Sequence, residues 1–132
     1  MKNVKMLSVL GISLVLFFVQ KQSFAHSWIA PEYESKKKNP IQISNESTNN
    51  RQTLFIELCS SCHGLGAVGL PKEKTGLNKD TPNLANRLKN HSDGDFHWKI
   101  LNGKGHMPSF KDELSDKGIW DIINYLKTLL KQ

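Results

Sequence analysis

Apolar residues recur at helical spacing near the end of the chain. Ile119, Ile122, Ile123, Leu126 and Leu130 form one stripe, with Ser115 placed to cap its start. Gly118 sits oddly in the first turn of that helix, where it costs up to about 1 kcal/mol relative to alanine. A second helix is predicted to begin at Ser44 or Ser47 and run to about Cys59, with Leu54, Phe55 and Leu58 on one side. Ser92-Asp93-Gly94-Asp95 has the spacing of a capping box, with Asp95 in the place of the usual glutamate, and Gly103 ends the helix it starts. Thr81-Pro82 supplies a cap and a proline at the first helical position, which predicts a short helix to about Lys89. Residues 64–80 hold Gly64, Gly66, Gly69, Pro71 and Gly76 and read as loop. No useful strand-like alternation occurs, so the expected architecture is all-α, with about four helices and one long glycine-rich loop.

The first 25 residues belong to a different pattern. Lys2 and Lys5 precede an apolar run from Met6 to Val19, and Ser23-Phe24-Ala25 is a small-x-small cleavage site. That order marks a secretory signal peptide, cleaved after Ala25. The competing reading is a retained anchor, but the run is interrupted by Ser8, Gly11 and Ser13 and is short against the roughly 20 residues of a spanning helix. No cysteine follows it to accept a lipid. Residues 26–44 then read as an irregular arm, since Pro31, Asn39-Pro40 and the run Lys36-Lys37-Lys38 oppose a packed element. Trp28 and Ile29 are placed to pin it, and Lys36 to Lys38 read as a solvated stretch. The folded domain is expected over 45–132.

Charge changes the picture only slightly. Cleavage would remove Lys2, Lys5 and Lys21 and no acid, lowering the net charge from +6 to +3. Neither that charge nor any basic helix argues for nucleic acid.

The decisive chemistry is Cys59-Ser60-Ser61-Cys62-His63. Cys-x-x-Cys-His is the attachment signature of c-type haem: two thiols at this spacing add to the two vinyl groups of one haem, and His63 is delivered as an iron ligand. A thioredoxin-like redox pair would sit near a βαβ pattern, which is missing, and a zinc site would need a second ligand pair at metal spacing. His91, His97 and His106 do not form a usual one; His26, His91 and His97 read as surface or cap residues. For the other axial position, Met107 stands in the loop Gly105-His106-Met107-Pro108. Its soft sulfur suits haem iron and raises the potential of a His-ligated centre. His106 is the alternative ligand.

With these residues in view, the chain resembles the class I c-type cytochromes, particularly the small bacterial mono-haem forms. The resemblance covers about residues 44–132. It is carried by Leu54-Phe55, Cys59-Ser60-Ser61-Cys62-His63-Gly64, the segment from Ser92 to Ile100 before Asn102-Gly103, Met107-Pro108-Ser109-Phe110, and Leu114-Ser115 to Leu126. It implies the cytochrome c fold, with the N- and C-terminal helices crossing and Phe55 meeting Ile122 and Tyr125. Arg51 departs from the pattern, standing where the family often has a small residue. Two readings are open for it: a stem laid across the crossing with its guanidinium in water, or helices held further apart. The resemblance also implies a proline carbonyl bonded to the other ring nitrogen of the proximal histidine, with Pro71 the expected residue and Pro82 the second choice. Trp98, Ile100 and Pro108 are expected in the haem pocket.

The function implied is a periplasmic one-electron carrier of a bacterial cell, with haem c ligated by His63 and Met107, rather than an enzyme. Its partners would be redox proteins docking at the haem edge, and Lys72, Lys74, Lys79, Lys104 and Lys111 are candidates for a positive ring around it. Two alternatives differ in class: a fixed haem subunit of a larger exported oxidoreductase, held by the arm at 26–44, or an open-site haem catalyst or sensor in which Met107 is not bound.

Overall fold

The computed structural model describes residues 28–130, and within them only the backbone at 45–50. The signal segment, its cleavage site and His26 lie outside the described residues. Seven helices follow in order: α1 Glu32–Ser35, α2 Asn45–Leu58, α3 Ser60–His63, α4 Lys72–Thr75, α5 Leu84–Leu88, α6 Asp93–Asn102 and α7 Asp116–Leu129. Three of these (α1, α3 and α4) are single turns, which leaves the expected four longer helices. Among the described residues the only strand-like pairing is an isolated bridge between Lys104 and Met107. No helix among them is long and apolar enough to cross a membrane.

The ends of α6 and α7 follow their local signals. The Ser92 hydroxyl accepts from the Asp95 amide, and that of Ser115 from the Gly118 amide. Gly103 stops α6 with φ 63°. The start of α5 does not follow the reading from Thr81-Pro82. Asn83 is the cap, its side chain accepting from Asn86 N, and the helix begins at Leu84. Thr81 is unavailable as a cap because its hydroxyl is engaged elsewhere.

The core forms where α2 lies on α7, the most extensive contact between elements. Phe55, Ile119, Ile122, Ile123, Tyr125 and Leu126 are buried there together with Phe96, Ile100 and Phe110. Phe55 and Tyr125 meet with ring centroids 5.4 Å apart and planes tilted by 46°. Burial of each such side chain stabilises the fold by about 1.5–3 kcal/mol. Arg51 corrects the reading that put its guanidinium in water. Its side chain is fully buried rather than wet, and Nε donates to Asp121 Oδ1 of α7 at 3.2 Å, while Lys117 holds the other oxygen at 2.6 Å. The arginine crosses the helix interface because α7 supplies a carboxylate to receive it; an unpaired charge could not be buried there.

α7 is buried on more than one face: every residue from Ile119 to Leu126 is covered. The second cover is the arm. Asn39 donates to Trp120 O at 2.9 Å and Asn124 Oδ1 at 3.0 Å, and Asn124 returns a bond to Ile41 O at 2.8 Å. Leu130, expected in the stripe, is only partly buried. On α6, the Ala30 amide donates to the buried Asp95, and Ser92 Oγ donates to Ser35 O. The arm is therefore packed rather than merely irregular. Lys36 and Lys37 pair with Glu32 and Glu34, which removes the like-charge repulsion expected of that run. Of the two expected pins, Trp28 is half-buried with Lys99 Nζ of α6 5.7 Å from its ring centroid, whereas Ile29 is exposed; Ala30 and Asn39 add the hydrogen bonds.

Gly94 makes the close approach possible. A Cβ there would lie 2.1 Å from Glu34 O and 2.8 Å from Lys37 O. Gly94→Ala should therefore displace the arm and destabilise the protein by about 1–3 kcal/mol, the usual cost of overpacking. The check is thermal unfolding together with trypsin cleavage at Lys36 to Lys38, which should become faster in the variant.

Candidate functional site

The Cys59-to-His63 motif occupies a joint. Cys59 closes α2 with φ −122° and opens α3, so the chain turns sharply at the first thiol. Its amide still donates to Phe55 O at 2.9 Å, and its carbonyl accepts from Cys62 N at 3.2 Å and His63 N at 2.9 Å. One helical turn then puts Cys59, Cys62 and His63 on one face at positions i, i+3 and i+4. Cys59 packs against the buried core. Both thiols are free, and burial with the neighbouring Cys62 pushes Cys59 up to about 11. A thiol so poised is protonated near neutrality, the opposite of an activated redox cysteine.

The glycine-rich loop folds back beneath this turn. Gly69 N donates to His63 O, Thr81 N to Leu70 O, and Leu84 N to Ala67 O. Gly69 must be glycine: with φ 85°, a Cβ would meet Thr81 O at 2.2 Å. The fold-back sets residues 81–84 against 67–70, and it decides which proline faces His63. The proline whose carbonyl bears on the ring is Pro82. Pro71, the expected residue, is exposed and opens α4 instead. Burial lowers the His63 pKa, and the Pro82 carbonyl works against that shift. The contact stops short of a formed hydrogen bond, since Nδ1 is buried without a partner.

Met107 approaches the core from the end of α6. Lys104 and Met107 exchange both backbone bonds, at 2.9 and 3.1 Å, and Phe110 N returns to Ile100 O at 3.2 Å. Ser109 Oγ donates to Leu101 O. The loop crosses so close to Gly103 that a Cβ there would lie 2.4 Å from the Pro108 carbonyl carbon. Met107 packs, partly buried, against the same core cluster as Cys59, whereas His106 is exposed. Of the other expected pocket residues, Ile100 is in that core, Trp98 is half-buried, and Pro108 is exposed.

His97 corrects the expectation of a surface residue. It is buried and stacked on Trp120 at 4.0 Å, with Nε2 2.7 Å from Asp116 Oδ1. The aromatic partner on α7 carried no local signal in the sequence. His91 lies partly buried with Nδ1 2.7 Å from Asp95 Oδ2. Among the described residues no group of three or more His, Cys, Asp or Glu side chains comes together to hold a free metal ion.

Two free thiols and an imidazole on one turn, with a thioether on the same core, are the donor types of a covalent haem. Comparison with known proteins agrees. Residues 46–126 match the family described as cytochrome c oxidase, cbb3-type, subunit III. Cytochrome c6 of Petalonia fascia is 35% identical over 80 residues, covering 59% of this chain and 87% of that protein. Cytochrome c6 of Alaria esculenta is 36% identical over 80 residues, covering 61% and 88%, and that of Bumilleriopsis filiformis 35% over 83 residues, covering 63% and 92%. The chain belongs to this family of small class I c-type cytochromes. It carries one covalently attached haem c and serves electron transfer rather than the conversion of a substrate.

Proposed function

We propose that the protein is an exported, periplasmic one-electron carrier whose haem is held by Cys59 and Cys62 and ligated by His63 and Met107. The observation that carries this reading is the rigid presentation of the two side chains that would hold the iron. His63 is fixed by the turn that begins at Cys59, and Met107 by a loop tied back to α6 and packed on the common core. A bound haem c supplies an iron that changes oxidation state by one electron. The chain's part is to keep both ligands in place in both states. Fixed donors leave little to rearrange and no open position for a substrate. Trp98, Ile100 and Pro108 are assigned to the surroundings of the group.

Export rests on the signal pattern before residue 26. A second reading is favoured by the family match, whose name is that of an oxidase subunit. In that case the protein would be the fixed haem subunit of a larger complex. Gel filtration of the exported protein separates the two, since a free carrier runs as a monomer.

Lys72, Lys74, Lys79, Lys104 and Lys111 are all exposed. We assign them to a positive surface that steers an acidic redox partner. Exposed charges are screened beyond roughly 10 Å at 0.1 M salt, so association by this route must weaken as salt rises.

Met107→Ala should abolish the weak absorption band at the red edge of the visible that a Met–iron bond gives the oxidised protein. It should also lower the reduction potential and open the ferrous protein to carbon monoxide. A band that survives the substitution would make His106 the ligand to test next. Ready carbon monoxide binding by the unaltered protein would favour the open-site reading. Changing Lys104 and Lys111 to Gln should flatten the salt dependence of electron transfer to an acidic redox protein, measured as a bimolecular rate. A flat salt series for the unaltered protein would dismiss the positive surface.

A further inference from the structure

Thr81 sits at the centre of the fold-back beneath the haem motif. Its hydroxyl oxygen lies 2.5 Å from Cys62 O and 3.1 Å from Leu70 O, and it accepts from Leu70 N at 2.7 Å. One hydroxyl carries one proton, so only one of those carbonyls receives it. Leu70 O is already served by the Thr81 amide at 3.0 Å. The hydroxyl proton therefore goes to Cys62 O, at the shorter distance. Through a single oxygen, Thr81 joins the second cysteine of the motif to the end of the glycine-rich loop. The next residue in the chain is Pro82, which the fold-back brings against His63: a Cβ on Gly69 would lie 3.1 Å from the Pro82 carbonyl carbon, and the Gly69 amide donates to His63 O at 2.9 Å.

A staple of this kind fixes two things relative to each other. Cys62 is adjacent to His63, and Thr81 is adjacent to Pro82. Holding Thr81 on Cys62 sets where the Pro82 carbonyl stands against the ring of His63, whose Nδ1 is buried with no formed partner. The backbone adds no slack, because Gly69 already lets Thr81 O pass at a distance no side chain would permit. The imidazole's donor strength depends on how fully its second nitrogen gives its proton to an acceptor.

We infer that Thr81 is a positioning residue: its hydroxyl, donated to Cys62 O, sets the Pro82 carbonyl against His63 and so tunes the reduction potential. The inference rests on the reading of His63 as an iron ligand. A tighter bond from Nδ1 makes the imidazole a stronger donor, which favours the oxidised iron. Loosening it raises the potential.

Thr81→Val keeps the shape and removes the donor, and Thr81→Ser keeps the donor. Holoproteins of both and of the unaltered chain are compared by potentiometric titration. In parallel, NMR of histidine-labelled samples reads the shifted ring N–H of the iron-bound histidine and its exchange with solvent. The valine variant should show a raised potential and ring-proton exchange faster by up to about tenfold, the factor that one net hydrogen bond is worth. Serine should restore both. Should the valine variant fail to mature, Thr81→Cys, a weak donor, is read in the same way. A potential and exchange rate unchanged from the parent, whatever happens to thermal stability, would reduce Thr81 to a loop staple and overturn the inference. Absence of the shifted ring N–H in the unaltered protein would overturn the ligand reading itself, a result distinct from the first.

Discussion

The packing of α2 on α7 governs everything at the site, because α2 ends on the first cysteine of the motif. Phe55 sits one turn before Cys59 and is fully buried against Tyr125 and its neighbours. The orientation of that turn, and hence of Cys59, Cys62 and His63, is set by an apolar contact whose other half comes some seventy residues later. The ion pair between Arg51 and Asp121 spans the same crossing. A buried pair adds little net stability, yet removing one partner strands the other, so it penalises any misplacement of the two helices. The motif is local in sequence but is aimed by a long-range contact.

The second proposed ligand depends on α6. Met107 is held where the backbone passes across Gly103, and α6 itself is clamped at its start by the arm through Gly94 and Asp95. Asp95 serves the Ala30 amide, His91 and Lys99 together, so α6 is fixed at both ends. All of that arm precedes residue 46, where the family match begins. The segment that clamps α6 therefore lies outside the matched core.

What was legible in the sequence was local. Ser92 and Gly103 bound α6, Ser115 starts α7, and the motif names its cofactor, because each signal is complete within a few residues. What stayed hidden needed partners from far along the chain. Arg51 reads as a snorkelling residue until Asp121 is seen opposite it. His97 reads as a cap until Trp120 stacks on it. The arm reads as loose because its prolines and lysine run are local signals, whereas Gly94, the landing place for Glu34 O, reads only as part of a capping box. Thr81-Pro82 was the subtlest case. It has the form of a helix start, but its hydroxyl is taken by Cys62 and its proline by His63, so the cap passes to Asn83. The same fold-back explains why Pro82, and not the nearer Pro71, faces the histidine.

Both proposed iron ligands are held by the fold itself, His63 by its turn and Met107 by its loop. Beyond residue 25 the sequence contains one methionine, Met107. Carbon-13 labelling of methionine methyl groups in the exported, reduced protein therefore gives a direct reading. If Met107 ligates the iron, its single methyl resonance should lie far upfield, shifted by the ring current of the macrocycle directly above it. A methyl resonance at the ordinary methionine position would contradict the account.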